Sequence, residues 1–393
     1  MLFNSFIYPF FLAGCVALYW LAPVRFRMLL LIFFSIIFYS LSGLWYLLLI
    51  TGLAVFVYWI AQIIRKSNEE KVVSHIVIGG IAVILMVLVW FKYSGLLVSG
   101  FAIIFSKDWK FSIALPLGIS FFTFEFIHYL IELHRRQLPE HRAIHFFAFA
   151  LFFPTLVSGP VKRFQVFFES LKTIDRFQRD FFFSGLLYIL FGYAEKYLLA
   201  DSFVLHTAFI MEPATAPSGQ ALLSGIFFYS FRIYFDFLGL SNIAIGSALL
   251  FGIKVPINFN HPYLKPDIAQ FWRSWHMSLT NWIRDYIYMP LVFRFRNSKL
   301  ITFGAVILIM ALIGLWHGSS LNFLFFGLYH GVGLALLQII RSFKIRPILP
   351  KRLSYCLGVL TTFVFVTLGW PFFVTSSLHD SLLLYQRIFA IFV

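Results

Sequence analysis

Ile301-Thr-Phe-Gly-Ala-Val-Ile-Leu-Ile-Met-Ala-Leu-Ile-Gly-Leu-Trp316 is an uncharged apolar run that closes on His317-Gly-Ser-Ser320. A run of this kind is close to the roughly 20 residues that span a hydrocarbon core as a helix. It is not isolated. Similar spans are predicted near residues 6–22, 28–42, 45–64, 73–91, 112–133, 143–158, 181–200, 220–239, 300–316, 320–340 and 355–374. Lipid offers the backbone no hydrogen bonds, so spanning segments are helices or closed barrels. These runs lack the in–out alternation of barrel strands. The expected fold is an all-α polytopic membrane protein of about 10–12 transmembrane or re-entrant helices. It reads as one transmembrane domain over 1–393.

Composition agrees. The 393 residues are 61% hydrophobic and 12% charged, with a mean hydropathy of +0.87. Soluble domains carry about twice that charged fraction. The net charge of +15 comes from 31 basic against 16 acidic residues. In a soluble chain it would raise nucleic acid as a partner. Here the basic residues fall between apolar runs, at 65–71, 134–142, 162–179, 294–299 and 341–352, which marks cytoplasmic-loop candidates and lipid-headgroup contact. Not all can share one side if every run crosses, so some pieces should be re-entrant or interfacial. Residues 94–105 and 241–253 suit that description, and 379–393 reads as part of one more helix. The two cysteines, Cys15 and Cys356, lie inside apolar stretches and suggest neither a disulfide framework nor a zinc site. The N-terminus lacks the basic region and cleavage site of a signal peptide.

Residues 268–290 follow a Pro- and Asn-rich polar stretch, 254–270. Trp272, Trp275, Leu279, Trp282 and Tyr286 recur at helical steps. Arg273, His276, Thr280 and Arg284 recur on another face. The pattern predicts an interfacial amphipathic helix over 268–290, ended or kinked at Met289-Pro290.

An imidazole at the end of a membrane segment is costly to keep and is a functional-site hypothesis by default. His317 is therefore the leading candidate for a general base that takes a proton from a hydroxyl. The alternative is a buried histidine bonded to a carbonyl. Gly318 and Ser319-Ser320 are expected to cap its helix. Trp316 beside it reads as cavity wall or ordinary packing. His276 is either a second catalytic group or a structural donor, and His330 ranks below both. Arg273 and Arg284 suit phosphate groups or lipid headgroups. Arg284-Asp285 suits a local charge network. Asp236 lies four residues after Arg232, the spacing of an intrahelical ion pair. Glu125, Glu132, Glu195, Lys196 and Asp201 read as paired charges or helix-end anchors. His134, His141 and His145 fall in a basic loop and read as a solvated face. No helical histidine pair with a nearby acidic ligand is present, and no Gly-rich phosphate loop, so no metal site is expected.

Seven stretches in order carry a resemblance. They are Leu115-Pro-Leu-Gly-Ile-Ser-Phe-Phe-Thr-Phe124, Phe153-Pro-Thr-Leu-Val-Ser-Gly-Pro160, Ile233-Tyr-Phe-Asp-Phe-Leu-Gly-Leu-Ser-Asn242, Ile257-Asn-Phe-Asn-His-Pro-Tyr263, Phe271-Trp-Arg-Ser-Trp-His-Met-Ser-Leu279, Trp282-Ile-Arg-Asp-Tyr286 and Gly314-Leu-Trp-His-Gly318. The chain resembles the bacterial branch of the membrane-bound O-acyltransferases, which includes alginate and peptidoglycan O-acetylation proteins and the D-alanine transfer protein of teichoic acid. The resemblance implies a funnel-shaped helical core with His317 as the family histidine, His276 as its second motif histidine, and Asp236 and Asn242 in a further motif. Met289-Pro-Leu-Val-Phe-Arg294 and Ser158-Gly-Pro-Val-Lys-Arg-Phe164 lean toward the D-alanine pattern. Met1-Leu-Phe-Asn-Ser5 and Leu115-Pro-Leu-Gly-Ile-Ser120 lean toward the acetylation pattern, although Ser274 stands where that branch commonly has arginine.

The implied activity is transfer of an acyl group, acetyl first and D-alanyl as the alternative. The donor would be a cytosolic thioester, acetyl-CoA or an acylated carrier protein, with no bound cofactor. The acceptor would be an extracytoplasmic polysaccharide or envelope hydroxyl, reached directly or through an extracytoplasmic transferase or esterase-like partner. Location in the bacterial cytoplasmic membrane follows, with membrane lipids around it and no nucleic acid. A transporter with a histidine relay is the competing class, and it should show two related halves with paired broken helices, which this sequence lacks.

Overall fold

The computed structural model describes residues 5–105, 113–157, 159–295, 298–343 and 349–391. Met1–Asn4, Ser158 and the centres of the basic loops 294–299 and 341–352 lie outside the described residues. Among the described residues there are helices and no strand. Among the described residues five helices are long and apolar enough to cross a membrane: Leu44–Lys66, Glu70–Val98, Gly219–Leu250, Leu321–Ser342 and Lys351–Val374. Tyr8–Leu21 and Ile301–His317 are shorter apolar helices. The all-α polytopic expectation therefore holds.

Several boundaries differ from the sequence reading, for physical reasons. The apolar pieces 73–91 and 94–105 form one helix, Glu70–Ile104. The pieces 220–239 and 241–253 likewise form one helix, Gly219–Leu250. Its glycines do not break it. They admit a neighbour: a Cβ on Gly246 would sit 2.5 Å from the carbonyl oxygen of Gly185, the close approach that small residues allow between helices in lipid. The predicted span 143–158 is instead two short helices, Ala143–Ala150 and Phe153–Leu156. Pro154 in the first turn of the second helix cannot continue the first.

The chain divides into two compact units, Met1–Tyr193 with Gly239–Ile257, and Ala194–Leu238 with Asn258–Val393. In the first unit, phenylalanines 38, 122, 126, 146, 149 and 152 are almost wholly buried. A charged network is buried with them. Lys162 Nζ lies 2.6 Å from Glu125 Oε2, with both side chains at most 2% exposed. The Phe164 backbone donates to His128 Nε2 at 3.0 Å, and Gln165 Nε2 donates to Glu132 at 2.7 Å. Glu132 also accepts from Arg135 Nη1 at 3.2 Å, so Glu125 and Glu132 are paired charges, as expected. The loop histidines are not simply solvated. His141 Nδ1 bonds the Pro139 carbonyl at 2.7 Å, and its Nε2 meets the Tyr129 hydroxyl at 2.8 Å.

In the second unit the helices Lys299–His317 and Leu321–Ser342 form a tight hairpin. Glycines make the approach possible. A Cβ on Gly314 would stand 2.1 Å from the Phe323 oxygen, and one on Gly327 would stand 2.2 Å from the Met310 oxygen. Real atoms cannot be so close, so any larger residue drives the pair apart. This packing fixes where the first helix ends.

Candidate active site

The first helix of that hairpin ends on His317. Gly318 follows in an extended conformation, φ −166°. The expected left-handed glycine cap is therefore absent. The turn is closed from the next helix instead: the Ser320 hydroxyl bonds Asn322, whose amide donates to the Thr375 oxygen at 2.7 Å. The His317 ring is held among aromatic rings. Trp316 lies at 4.8 Å, Phe373 at 5.0 Å and Phe326 at 6.3 Å between centroids, all near edge-to-face.

His276 reaches the same place by another route. The sequence predicted one helix over 268–290, and the structure corrects this. Helix Ile268–Trp272 stops, His276 takes the left-handed conformation at φ 45°, and helix Met277–Ile283 begins. A π-helical turn, Arg284–Tyr288, and helix Met289–Arg294 follow. The break separates residues that one helix would have aligned. Arg273 is exposed, whereas His276 is 2% exposed. Trp272, Trp275 and Trp282 are buried within the protein.

The 257–263 motif supplies the force that holds the break open. The Met277 backbone donates to the Asn258 oxygen at 2.8 Å, and the Asn260 backbone donates to the Ser274 oxygen at 3.0 Å. Ser278 Oγ adds a bond to Asn258 Oδ1 at 2.6 Å. Backbone groups on both sides of His276 are thus satisfied from outside its own segment. The His276 ring points inward, edge-on to Phe237 at 4.7 Å and 5.9 Å from Trp316. Neither ring nitrogen has a partner outside its own residue. Buried polar groups without partners are rare and costly.

His330 completes the cluster. It is fully buried, and neither of its ring nitrogens is hydrogen-bonded. Phe326 lies 4.6 Å from it, Trp272 5.1 Å and Phe365 5.7 Å. Trp316 therefore touches both His276 and His317, and Phe326 touches both His317 and His330. Three histidines, two of them from one helix hairpin, share two aromatic neighbours.

The other expected residues lie elsewhere. Asp236 does not pair with Arg232. It accepts from Lys196 Nζ at 2.6 Å, and that ammonium also holds Asp201 at 2.7 Å. Lys196 sits on a π-helical turn, Ala194–Ala200, that brings it between the two carboxylates. Arg232 donates instead to Thr207 Oγ1 at 2.7 Å. Arg284 and Asp285 form the expected local pair at 2.8 Å, with half of the Arg284 side chain exposed. Asn242 lies on the Gly219–Leu250 helix, in the part that belongs to the first unit, and is half-buried. Among the described residues no cluster of three or more His, Cys, Asp or Glu could hold a metal. Sequence reasoning missed Phe237, Phe326, Phe373 and Asn258. Asn258 stood inside a quoted motif, but only the tertiary pairing reveals that it clamps the His276 turn.

Comparison with known proteins shows the family that the motifs resemble. The profile of the membrane-bound O-acyltransferase family matches residues 16–377. "Probable alginate O-acetylase AlgI" of Pseudomonas aeruginosa is 36% identical over 99% of this chain and 75% of its own length. The peptidoglycan O-acetyltransferase of Helicobacter pylori is 31% identical over 97% of this chain and 78% of its own. The teichoic acid D-alanyltransferase of Bacillus subtilis is 32% identical, over 67% of this chain and 69% of its own.

Proposed function

This chain belongs to the membrane-bound O-acyltransferase family and is a multi-pass membrane acyltransferase, and from that premise we propose that it transfers an acetyl group from a cytosolic thioester to an envelope polysaccharide hydroxyl, with His317 as general base. The observation that carries the proposal is the convergence of His317 and His276 on Trp316. Charge that develops beside these rings is poorly screened by water, so positioned groups act strongly there.

A ring nitrogen of His317 takes the proton of the acceptor hydroxyl. The oxygen attacks the thioester carbonyl and a C–O bond forms. The C–S bond then breaks, and the departing sulfur takes the proton back from the imidazolium. The products are an ester and a free thiol. His276, buried and without an outside partner, is suited to hold the carbonyl oxygen or the acceptor by a hydrogen bond as charge builds up. Base catalysis of this kind contributes about 10²–10⁴-fold.

Acetyl is favoured over D-alanyl because the acetylase relatives align along nearly the whole chain and the D-alanyltransferase along two thirds of it. The cytoplasmic membrane is the location that gives a thioester donor and an envelope acceptor access to opposite faces. The test is reconstitution in sealed vesicles, with labelled acetyl-CoA on one face and alginate or peptidoglycan fragments on the other. The expected result is label on the acceptor, lost by at least about 100-fold in His317→Ala with insertion unchanged. Undiminished transfer in that variant removes His317 from the mechanism. Transfer from a D-alanyl carrier protein but not from acetyl-CoA selects the other acyl group.

A further inference from the structure

A cavity of about 1140 Å³ lies in the first unit, where helices Leu44–Lys66 and Ile119–His134 end and Glu70–Ile104 begins. Two of these helices are long enough to cross a membrane, so the cavity opens at headgroup level. Its wall includes Arg65, His134, Arg135, Arg136 and His141, with Glu70 and Glu140 also present.

Three features distinguish this wall from ordinary basic helix ends. First, Arg65 Nη2 lies 2.9 Å from His141 Nε2. The same Nη2 lies 3.3 Å from Nδ1, which is committed to the Pro139 carbonyl, and Nε2 also meets the Tyr129 hydroxyl, so the guanidinium rests against the ring. An uncharged ring steadies the guanidinium without cancelling its charge. Arg135 differs, since Glu132 takes it at 3.2 Å. Second, Arg136 has φ 57°. The Arg136 and Gln137 backbones donate to the Leu133 and Glu132 oxygens at 3.0 and 2.9 Å. This is the helix-ending motif whose left-handed position glycine normally fills, and any residue with a Cβ is strained there. The chain keeps an arginine where its backbone favours glycine. Third, His134 Nδ1 is buried without a hydrogen-bond partner, a group that invites a ligand atom.

We propose that this cavity binds a phosphate ester at the membrane surface, with Arg65 and Arg136 taking its anionic oxygens and His134 bonding it from the inner wall. Guanidinium forks match phosphate geometry. The carboxylates of Glu70 and Glu140 limit the net positive charge of the wall, and the oxygens of one phosphate group suffice to pair with Arg65 and Arg136. Two sources carry that chemistry, a phospholipid headgroup and a soluble phosphate-bearing thioester donor.

The experiment reads binding alone and does not depend on the acyl-transfer reading. Full-length protein, wild type, Arg65→Gln and Arg136→Gly, is tested in two arms. Phosphatidylglycerol retained from defined mixed micelles is counted by native mass spectrometry, and coenzyme A binding is measured by equilibrium dialysis. Arg136→Gly relieves the left-handed strain, so its melting temperature should hold or rise while binding weakens about tenfold. A selective loss of retained lipid identifies a headgroup site. A selective loss of coenzyme A affinity identifies a donor site. Equal binding of both probes by wild type and both variants overturns the proposal, as does binding of neither probe by wild type.

Discussion

The His276 imidazole stands edge-on to the Trp316 indole, with centroids 5.9 Å apart and planes at 60°. The same indole packs against His317 at 4.8 Å. One side chain therefore sets the spacing of two imidazoles carried by different segments. Trp316→Leu should leave the helix hairpin intact, because Gly314 and Gly327 hold it. It should cost transfer about 10- to 100-fold, since misplacement of about 1 Å at a reacting centre is that expensive. Trp316→Phe should restore most of it. Turnover measured alongside thermal melting separates the effects. Equal activity in the leucine variant would mean that Trp316 is inert packing.

His276 carries a backbone cost as well as a ring. A non-glycine residue at φ 45° is disfavoured by about 1–2 kcal/mol, and asparagine tolerates that region better than alanine. His276→Asn should therefore fold as well as wild type, and His276→Ala should melt lower. If the imidazole only fills space, the asparagine variant will be nearly active. If it bonds the reacting groups, both variants will lose turnover by similar factors whatever their melting temperatures. The comparison of the two variants decides the role.

The sequence made the helical membrane fold legible because apolar runs need no tertiary partner to be recognised. His317 was legible as a costly group at the end of an apolar run, His276 as a candidate on the polar face of an amphipathic segment, and His330 as a lesser candidate. What remained hidden was set by distant partners. The 268–290 periodicity is real, yet Asn258 and Asn260 pull the chain open at His276, and no helical period encodes that. Arg232 and Asp236 have the right spacing to pair, but Lys196 and Thr207 offer them closer partners from other segments. Phe326 and Phe373 carry no chemical signature among 53 phenylalanines, and only the fold selects them.

The Lys162–Glu125 pair is the most deeply buried ion pair of the first unit described above. Removing one member leaves a charge without a partner, which costs about 3–5 kcal/mol. Lys162→Met should lower the yield of folded protein sharply. The double variant Lys162→Met with Glu125→Gln should recover part of the loss, since no buried charge is then orphaned. Denaturation midpoints of the two variants check this. A double variant no more stable than the single one would show that the pair's packing, rather than its charge, is what matters.

Acid sensitivity should trace in part to His141. Burial pushes its imidazole down to about 4, the Pro139 carbonyl opposes the shift, and the Arg65 guanidinium adds to it. The unfolded chain takes up that proton near the ordinary value of 6.5, so between these limits the unfolded state binds more protons than the folded one. Stability from this group is then fully present above pH 6.5, falls as pH drops toward 4, and levels off below that. Allowing for the ring's partial exposure, the loss is about 1–2 kcal/mol. His141→Gln keeps a neutral polar side chain beside Arg65 but cannot titrate, so its melting temperature should decline less than wild type between pH 6.5 and 4. Parallel curves for the two proteins would assign the acid response to other groups. At neutral pH the two should melt alike, because the wild-type ring is already uncharged there.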